Sequence, residues 1–145
     1  MTIKREQILA AITTALAGTT GVGGRIYRSR TEAFARNEAP ALLIEPTPGA
    51  PDTPKEEPVS TCKIDWRLNV TIAVYTRGAI PDQLAAPIVG DLHSKLMADR
   101  TLGGLAMDVW PGPVDHQKDQ ADAAAGWAVC SYVVRYRTSI TDLAA

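Results

Sequence analysis

The stretch TCKIDWRLNVTIAVYTR, residues 61–77, does most to limit what this chain can fold into. Cys62, Ile64, Trp66, Leu68, Val70, Ile72 and Val74 share one parity, and Lys63, Asp65, Arg67, Asn69 and Thr71 share the other. Period-two alternation sends successive side chains to opposite faces of an extended strand, so one face is buried and the other is polar. The pattern holds over 13 residues, which at ~3.3 Å each is on the order of 40 Å. An ordinary strand has about five or six residues, so part of this one is predicted to run past the body of the domain.

The flanking text supplies the rest of a sheet and its cover. Ile8, Ile12 and Leu16 recur every four residues with Leu9 beside them, one apolar stripe of an amphipathic helix. Thr2 is placed to cap its start and Gly18 to stop it. GTTGVGG then leads into a short strand at Arg25–Arg28, and Ala41–Glu45 reads as a second strand stopped by Pro46. Residues 46–58 carry five prolines in 13 positions, and proline has no backbone donor for a sheet interior. Residues 46–60 are therefore read as an exposed, extended loop, of a length that is usually functional or disordered.

After the long strand, Asp82 is read as the cap of a helix carrying Leu84, Ile88, Leu92 and Leu96. Pro87 opposes a helix already under way, so the regular part is predicted from about Pro87 to Met97. Leu105–Trp110 reads as a strand closed by Pro111, and residues 111–126 as a polar connector bearing Asp115, Asp119 and Asp122. The final strand, from Trp127, puts Cys130, Tyr132, Val134 and Tyr136 on one face. Trp127, Val129, Val133, Arg135 and Arg137 fall on the other. The order helix, strand, strand, long strand, helix, strand, strand predicts one α+β domain over residues 1–145. Its expected form is a largely antiparallel mixed sheet of about five strands with two helices packed on one face. No internal repeat is present.

Composition sets outer limits on function. A content of 46% hydrophobic and 21% charged residues is globular. A formal charge of −1 provides no basic field for holding nucleic acid by its phosphates. The amino terminus lacks a signal-peptide apolar run, and no stretch of about 18 apolar residues occurs. The expectation is a soluble chain of a reducing cytoplasm with no membrane contact. Cys62 and Cys130, each inside an apolar run, are read as buried thiols ahead of a disulfide or metal pair.

A search for chemistry finds little. GTTGVGG follows a helix and precedes a strand, the reverse of the order a phosphate cradle needs. Gly103 and Gly104, in DRTLGGLAMDVWPG, fail the same test and are read as a structural turn that supplies positive φ and ends the helix. His93 is read as packed or half-exposed and His116 as solvated, with no third histidine for a catalytic zinc. No serine sits in a GxSxG elbow. Asp115, Asp119 and Asp122 do not follow calcium-loop spacing; a solvated loop leads, with a cation or a basic partner surface as the alternative. Arg135 and Arg137 suit solvated edge positions, or pairing with carboxylates of a neighbouring subunit. No catalytic residue, cofactor or metal site is expected, and the chain is not expected to be an enzyme.

Several phrases then converge on a family. They are GRIYRSRTEAFARNEAPALLIEP, the strand DWRLNVTIAVYTRG, the helix IPDQLAAPIVGDLHSKLMAD, the turn TLGGLAMDV and the closing AGWAVCSYVVRYRT. In this order and spacing the chain resembles the tail terminator proteins of long-tailed bacteriophages, the minor tail protein U and tail-completion group. The resemblance implies a small α/β protein that forms a six-fold ring on the tail tube. Such a ring stops tube polymerisation and then presents a surface for joining the head. Its implied partners are further copies of itself, the tail tube protein and a head-completion or connector protein. DNA would pass through the channel without sequence-specific binding. The implied location is the head-proximal end of the tail, with assembly in the host cytoplasm.

A cyclic ring needs two different patches to meet. One expected patch joins Pro54, Lys55, Glu56 and Glu57 to Lys63, Asp65 and Arg67 at the start of the long strand, against tail tube or neighbour. The other places Arg135 and Arg137 against a neighbour's acids, and Asp115, Asp119 and Asp122 form loop contacts. The competing readings are another head–tail connector component such as a head-closure or stopper protein, a small enzyme whose site is not visible, and a host-derived binding module.

Overall fold

The alternating stretch forms β4 (Lys63–Arg77), 15 residues at the centre of a six-stranded sheet in this computed structural model. Residues 2–55, 62–119 and 124–145 are described. The elements run α1 (Lys4–Ala15), β1 (Ile26–Arg28), a short 3-10 turn (Arg36–Glu38), β2 (Ala41–Pro46), β3 (Thr53–Pro54), β4, α2 (Pro81–Met97), β5 (Asp108–Lys118) and β6 (Ala125–Ser139). The strand order is β1-β2-β4-β6-β5, with β3 attached to β4 off this path. Only β1–β2 is parallel; the other pairs are antiparallel. The architecture is the expected α+β arrangement.

Both helices cover one face of the sheet. Ile8, Leu9, Ile12 and Leu16 from α1 and its end join Ala85, Ile88, Leu92 and Leu96 of α2 in one buried cluster. Leu68, Val70, Ile72 and Val74 of β4 and Cys130, Tyr132, Val134 and Tyr136 of β6 form its floor, on the parity read from the sequence. Each such Leu, Ile or Val contributes about 1.5–3 kcal/mol by leaving water. The first five residues of β4 are exposed or half-buried, whereas Val70 to Thr76 are buried throughout. The strand thus emerges from beneath the helices at its start.

The opposite, outer face is covered at one end only. There the segment from Ser29 to Pro40 folds back over Ala41, Tyr75 and Ala125, with Phe34, Tyr27 and Trp127 packed against them. The Phe34 ring stacks on Tyr75 at 5.1 Å, and Trp127 tilts against Tyr75 at 4.9 Å. This explains why the second half of β4 is buried on both faces. Among the described residues, the other end of the outer face is left uncovered.

Several local expectations are corrected. Cys62 is exposed, because it precedes β4 where the strand has left the helices; Cys130 is buried, and neither is in a disulfide. The regular turns of α2 begin at Pro81 rather than about Pro87, and its N-cap is Ile80 with no side-chain cap from Asp82. Pro81 fits because its φ is already helical and its absent N–H is not needed in the first turn. Pro87 stays inside the helix, at a cost of about 3 kcal/mol that burial of Ile88, Leu92 and Leu96 offsets. Leu84, read as core, is 47% exposed. Helix α1 is entered through Ile3, again with no side-chain cap; Thr2 instead offers its carbonyl to Gln7 Nε2 at 2.7 Å.

The proline-rich segments behave differently from their reading as breaks. Thr53 and Pro54 pair with Arg67 and Trp66 as β3, so the loop from 46 touches the sheet before residues 56–61, which lie outside the described set. Pro111 does not close a strand: β5 starts only at Asp108 and continues to Lys118 through the first half of the supposed connector. A bulge absorbs the second proline, with Gly112 and Pro113 standing opposite Ser131 alone. Both prolines are tolerated because β5 is an edge strand, where a missing N–H need not break a ladder.

Candidate assembly surface

The bare part of the outer face collects most of the interface residues singled out in the sequence. Cross-strand partners share a face, and the β4–β6 register aligns Lys63 with Ser139, Asp65 with Arg137, and Arg67 with Arg135. The β5–β6 register adds Asp108 opposite Arg135 and Trp110 opposite Val133. Lys55 joins from the end of β3, its N–H donating to the Asp65 carbonyl at 2.8 Å. Pro54, Lys55, Lys63, Arg67 and Arg135 are exposed. Glu56 and Glu57 lie outside the described residues.

Charges on this face divide into satisfied and unsatisfied sets. Arg137 donates to Asp65 through Nε at 2.6 Å and Nη2 at 3.2 Å, so its acidic partner is within the chain. That guanidinium holds the Asp65 carboxyl below the usual carboxylate range, with a smaller push from Lys55, and Asp65 in turn raises Arg137. Arg100 grips Asp108 with two hydrogen bonds, both 2.7 Å, and lowers its pKa; Arg135 adds a weak push in the same direction. Arg67 and Arg135 have no ion pair among the described residues.

Two open grooves meet at these arginines. One, of about 460 Å³, lies towards Thr53, Pro54, Lys55 and Met107. The other, of about 700 Å³, runs over Asn69, Ser131 and Val133 towards Trp110 and the bulge. Sequence reasoning missed Met107 and Trp110, which are 48% and 59% exposed beside Arg135. The available signal was parity: Trp110 shares its face with Asp108, as it would in any strand.

Of the three acidic loop residues, Asp115 and Asp119 are among the described residues. Asp115 is exposed on β5 and accepts from Gln117 Nε2 at 3.2 Å. Asp119 donates its N–H to the Ala125 carbonyl at 3.0 Å, closing the β5–β6 ladder. Asp122 lies outside the described residues. Among the described residues, no group of three or more His, Cys, Asp or Glu side chains could hold a metal. His93 is exposed and sits 2.9 Å from the Tyr132 hydroxyl through Nδ1.

The double glycine is a turn, as read, but it does not end the helix itself, since α2 stops at Met97. Gly103 and Gly104 have φ of +73° and +91°. Asp99 accepts from the Gly103 N–H at 2.9 Å and from both the N–H and hydroxyl of Thr101. The donors an anion would need are thus used by the chain's own carboxylate, which they lower in pKa.

No helix among the described residues is long and apolar enough to cross a membrane. No protein-family model matches the chain, and no curated protein matches it. Among solved structures, the fold is similar to that of a chain in the "Virion of native gene transfer agent (GTA) particle". The likeness has a TM-score of 0.66 at 12% sequence identity and covers 90% of this chain and 95% of that one. Agreement at such low identity concerns backbone architecture.

Proposed function

We propose that this chain is a structural component of a phage-like particle, and specifically its tail terminator. In this reading about six copies close into a ring on the end of the tail tube, halt tube growth and offer the surface that joins the head. It is a non-enzymatic role needing no cofactor. The protein would end up in the virion at the head-proximal end of the tail after assembly in the host cytoplasm. The observation that carries the proposal is the fold likeness to a virion chain over nearly the whole length of both. What makes the reading specific is the resemblance of the phrases from GRIYRSR to YVVRYRT to those of tail terminators.

The surface anatomy suits such a ring. A heterologous contact needs two unlike patches, and the molecule has a long edge strand, β5, on one side and the bare end of the outer face with β3 on another. Residues 113–118 of β5 are exposed without exception.

The test is mass and shape, followed by function. Light scattering and negative-stain microscopy of the purified chain, alone and with tube ends, should give rings of about six subunits. Added in small molar ratio to polymerising tube protein, it should arrest elongation. A strict monomer that leaves tube growth untouched would overturn the proposal. Rings that bind the head side but leave tube length uncontrolled would reassign it to the connector.

A further inference from the structure

Two exposed arginines face each other across the sheet with no acid between them among the described residues. Arg67 and Arg135 are direct partners in the β4–β6 ladder, which places their Cβ atoms about 5 Å apart on one face. Like charges in that position repel. Among the described residues, the carboxylates beside them in the ladder are already engaged, Asp65 by Arg137 and Asp108 by Arg100. Two fork-shaped donors therefore point at one patch of solvent, and a single incoming carboxylate would bridge both. The grooves that meet there are open on either side, and each is bounded by both arginines. Met107 and Trp110 flank the pair, and Arg, Met and Trp are the residue types enriched in the energetic centres of protein interfaces.

We infer that the Arg67–Arg135 pair is the docking site for an acidic, extended segment of a partner protein. One carboxylate of the segment sits between the guanidiniums, and its apolar side chains cover Met107 and Trp110. A peptide fits better than a nucleic-acid strand. The two arginines form one compact site for a single carboxylate, and a chain of net charge −1 offers no extended basic field for a continuous phosphate backbone. The site lies on the bare end of the outer face that the ring reading offers as one contact patch, so a second copy of the chain would compete with the peptide for it.

The experiment uses the full chain and a fluorescein-labelled peptide of glutamates interrupted by leucine and phenylalanine, read by fluorescence anisotropy at about 50 mM and about 300 mM salt. The expected result is saturable binding that weakens with salt and falls at least tenfold in the Arg67→Ala/Arg135→Ala double variant. Arg36→Ala, at an exposed arginine elsewhere on the surface, should bind as the parent does. The double variant should melt no lower than the parent, because a cross-strand repulsion has been removed. Undiminished binding by the double variant would overturn the inference, as would no binding by the parent. Tighter binding of an oligothymidine of equal charge would replace the peptide with nucleic acid. A change in subunit mass on light scattering, with peptide binding intact, would assign the arginines to contact between copies instead.

Discussion

Arg30 and Glu38 close on each other through two hydrogen bonds, Nη1 to Oε2 at 2.6 Å and Nη2 to Oε1 at 2.9 Å. The same guanidinium lies 4.7 Å from the Tyr27 ring centre and 4.5 Å from that of Phe34. Glu38 also receives the Ala35 N–H at 2.8 Å. Together these contacts clip the segment from Ser29 to Pro40 over the outer face, where Phe34 seals the second cluster.

The clip should loosen in acid. Arg30 first, and then the Ala35 N–H, hold the Glu38 carboxyl at about 2, against an ordinary value of 4.5. A depressed carboxyl contributes stability that is complete above the unfolded pKa and is lost as pH falls towards the folded one. The window is therefore pH 4.5 down to about 2. Urea unfolding followed by tryptophan fluorescence should show the parent losing stability more steeply across that window than Glu38→Gln. Parallel curves for the two proteins would remove the clip from the account.

Gly103 and Gly104 should be intolerant of side chains for a backbone reason alone. A Cβ added at either meets nothing within 4 Å, yet φ is +73° and +91°. Alanine at either position is expected to cost about 1–2 kcal/mol, the penalty of an L-residue in left-handed space. A branched valine at 104 should cost more and unfold or misassemble the chain, while any binding that survives keeps its affinity. Equilibrium unfolding of Gly104→Ala and Gly104→Val measures this, and a neutral valine would show the turn to be free to rearrange.

The order of elements and the buried parity of β4 and β6 were legible in the sequence because period two is written in consecutive residues. What failed was punctuation. Pro87 and Pro111 read as breaks, but Pro87 sits within a helix and Pro111, with Pro113, rides on an edge strand. Whether a proline breaks an element depends on which strand is at the edge and what a helix buries, and both are tertiary facts. The same holds for the surface: Arg135 and Arg137 look equivalent two residues apart. Only the β4 register gives Arg137 the Asp65 carboxylate and leaves Arg135 opposite Arg67.

The two thiols should separate cleanly. Cys62 is exposed, and Cys130 is buried with its thiol pushed up to about 11 by loss of solvent. Reaction needs the thiolate. An aromatic disulfide reagent at neutral pH should therefore label one thiol per folded chain quickly and the second only on unfolding. Cys62→Ser should abolish the fast phase. Rapid labelling of both thiols in the parent would mean that the sheet opens around Cys130.

Gly126 and Gly90 should respond to alanine with opposite signs. A Cβ on Gly126 would lie 2.7 Å from Pro81 Cβ and 3.4 Å from the Gln117 carbonyl oxygen. Pro81 cannot move aside easily, since it is a rigid ring at the start of α2 whose carbonyl accepts the Thr76 hydroxyl at 2.8 Å. Gly126→Ala must therefore push the first turn of α2 off the sheet, an overpacking cost of about 1–3 kcal/mol. Gly90 is exposed inside α2 with nothing within 4 Å of an added Cβ. Alanine there should stabilise by up to about 1 kcal/mol through helix propensity. Thermal or urea melts of the two variants decide the matter. If Gly126→Ala were as stable as the parent, α2 would not be seated against β6 through Pro81, and the burial that retains Pro87 inside the helix would need another source.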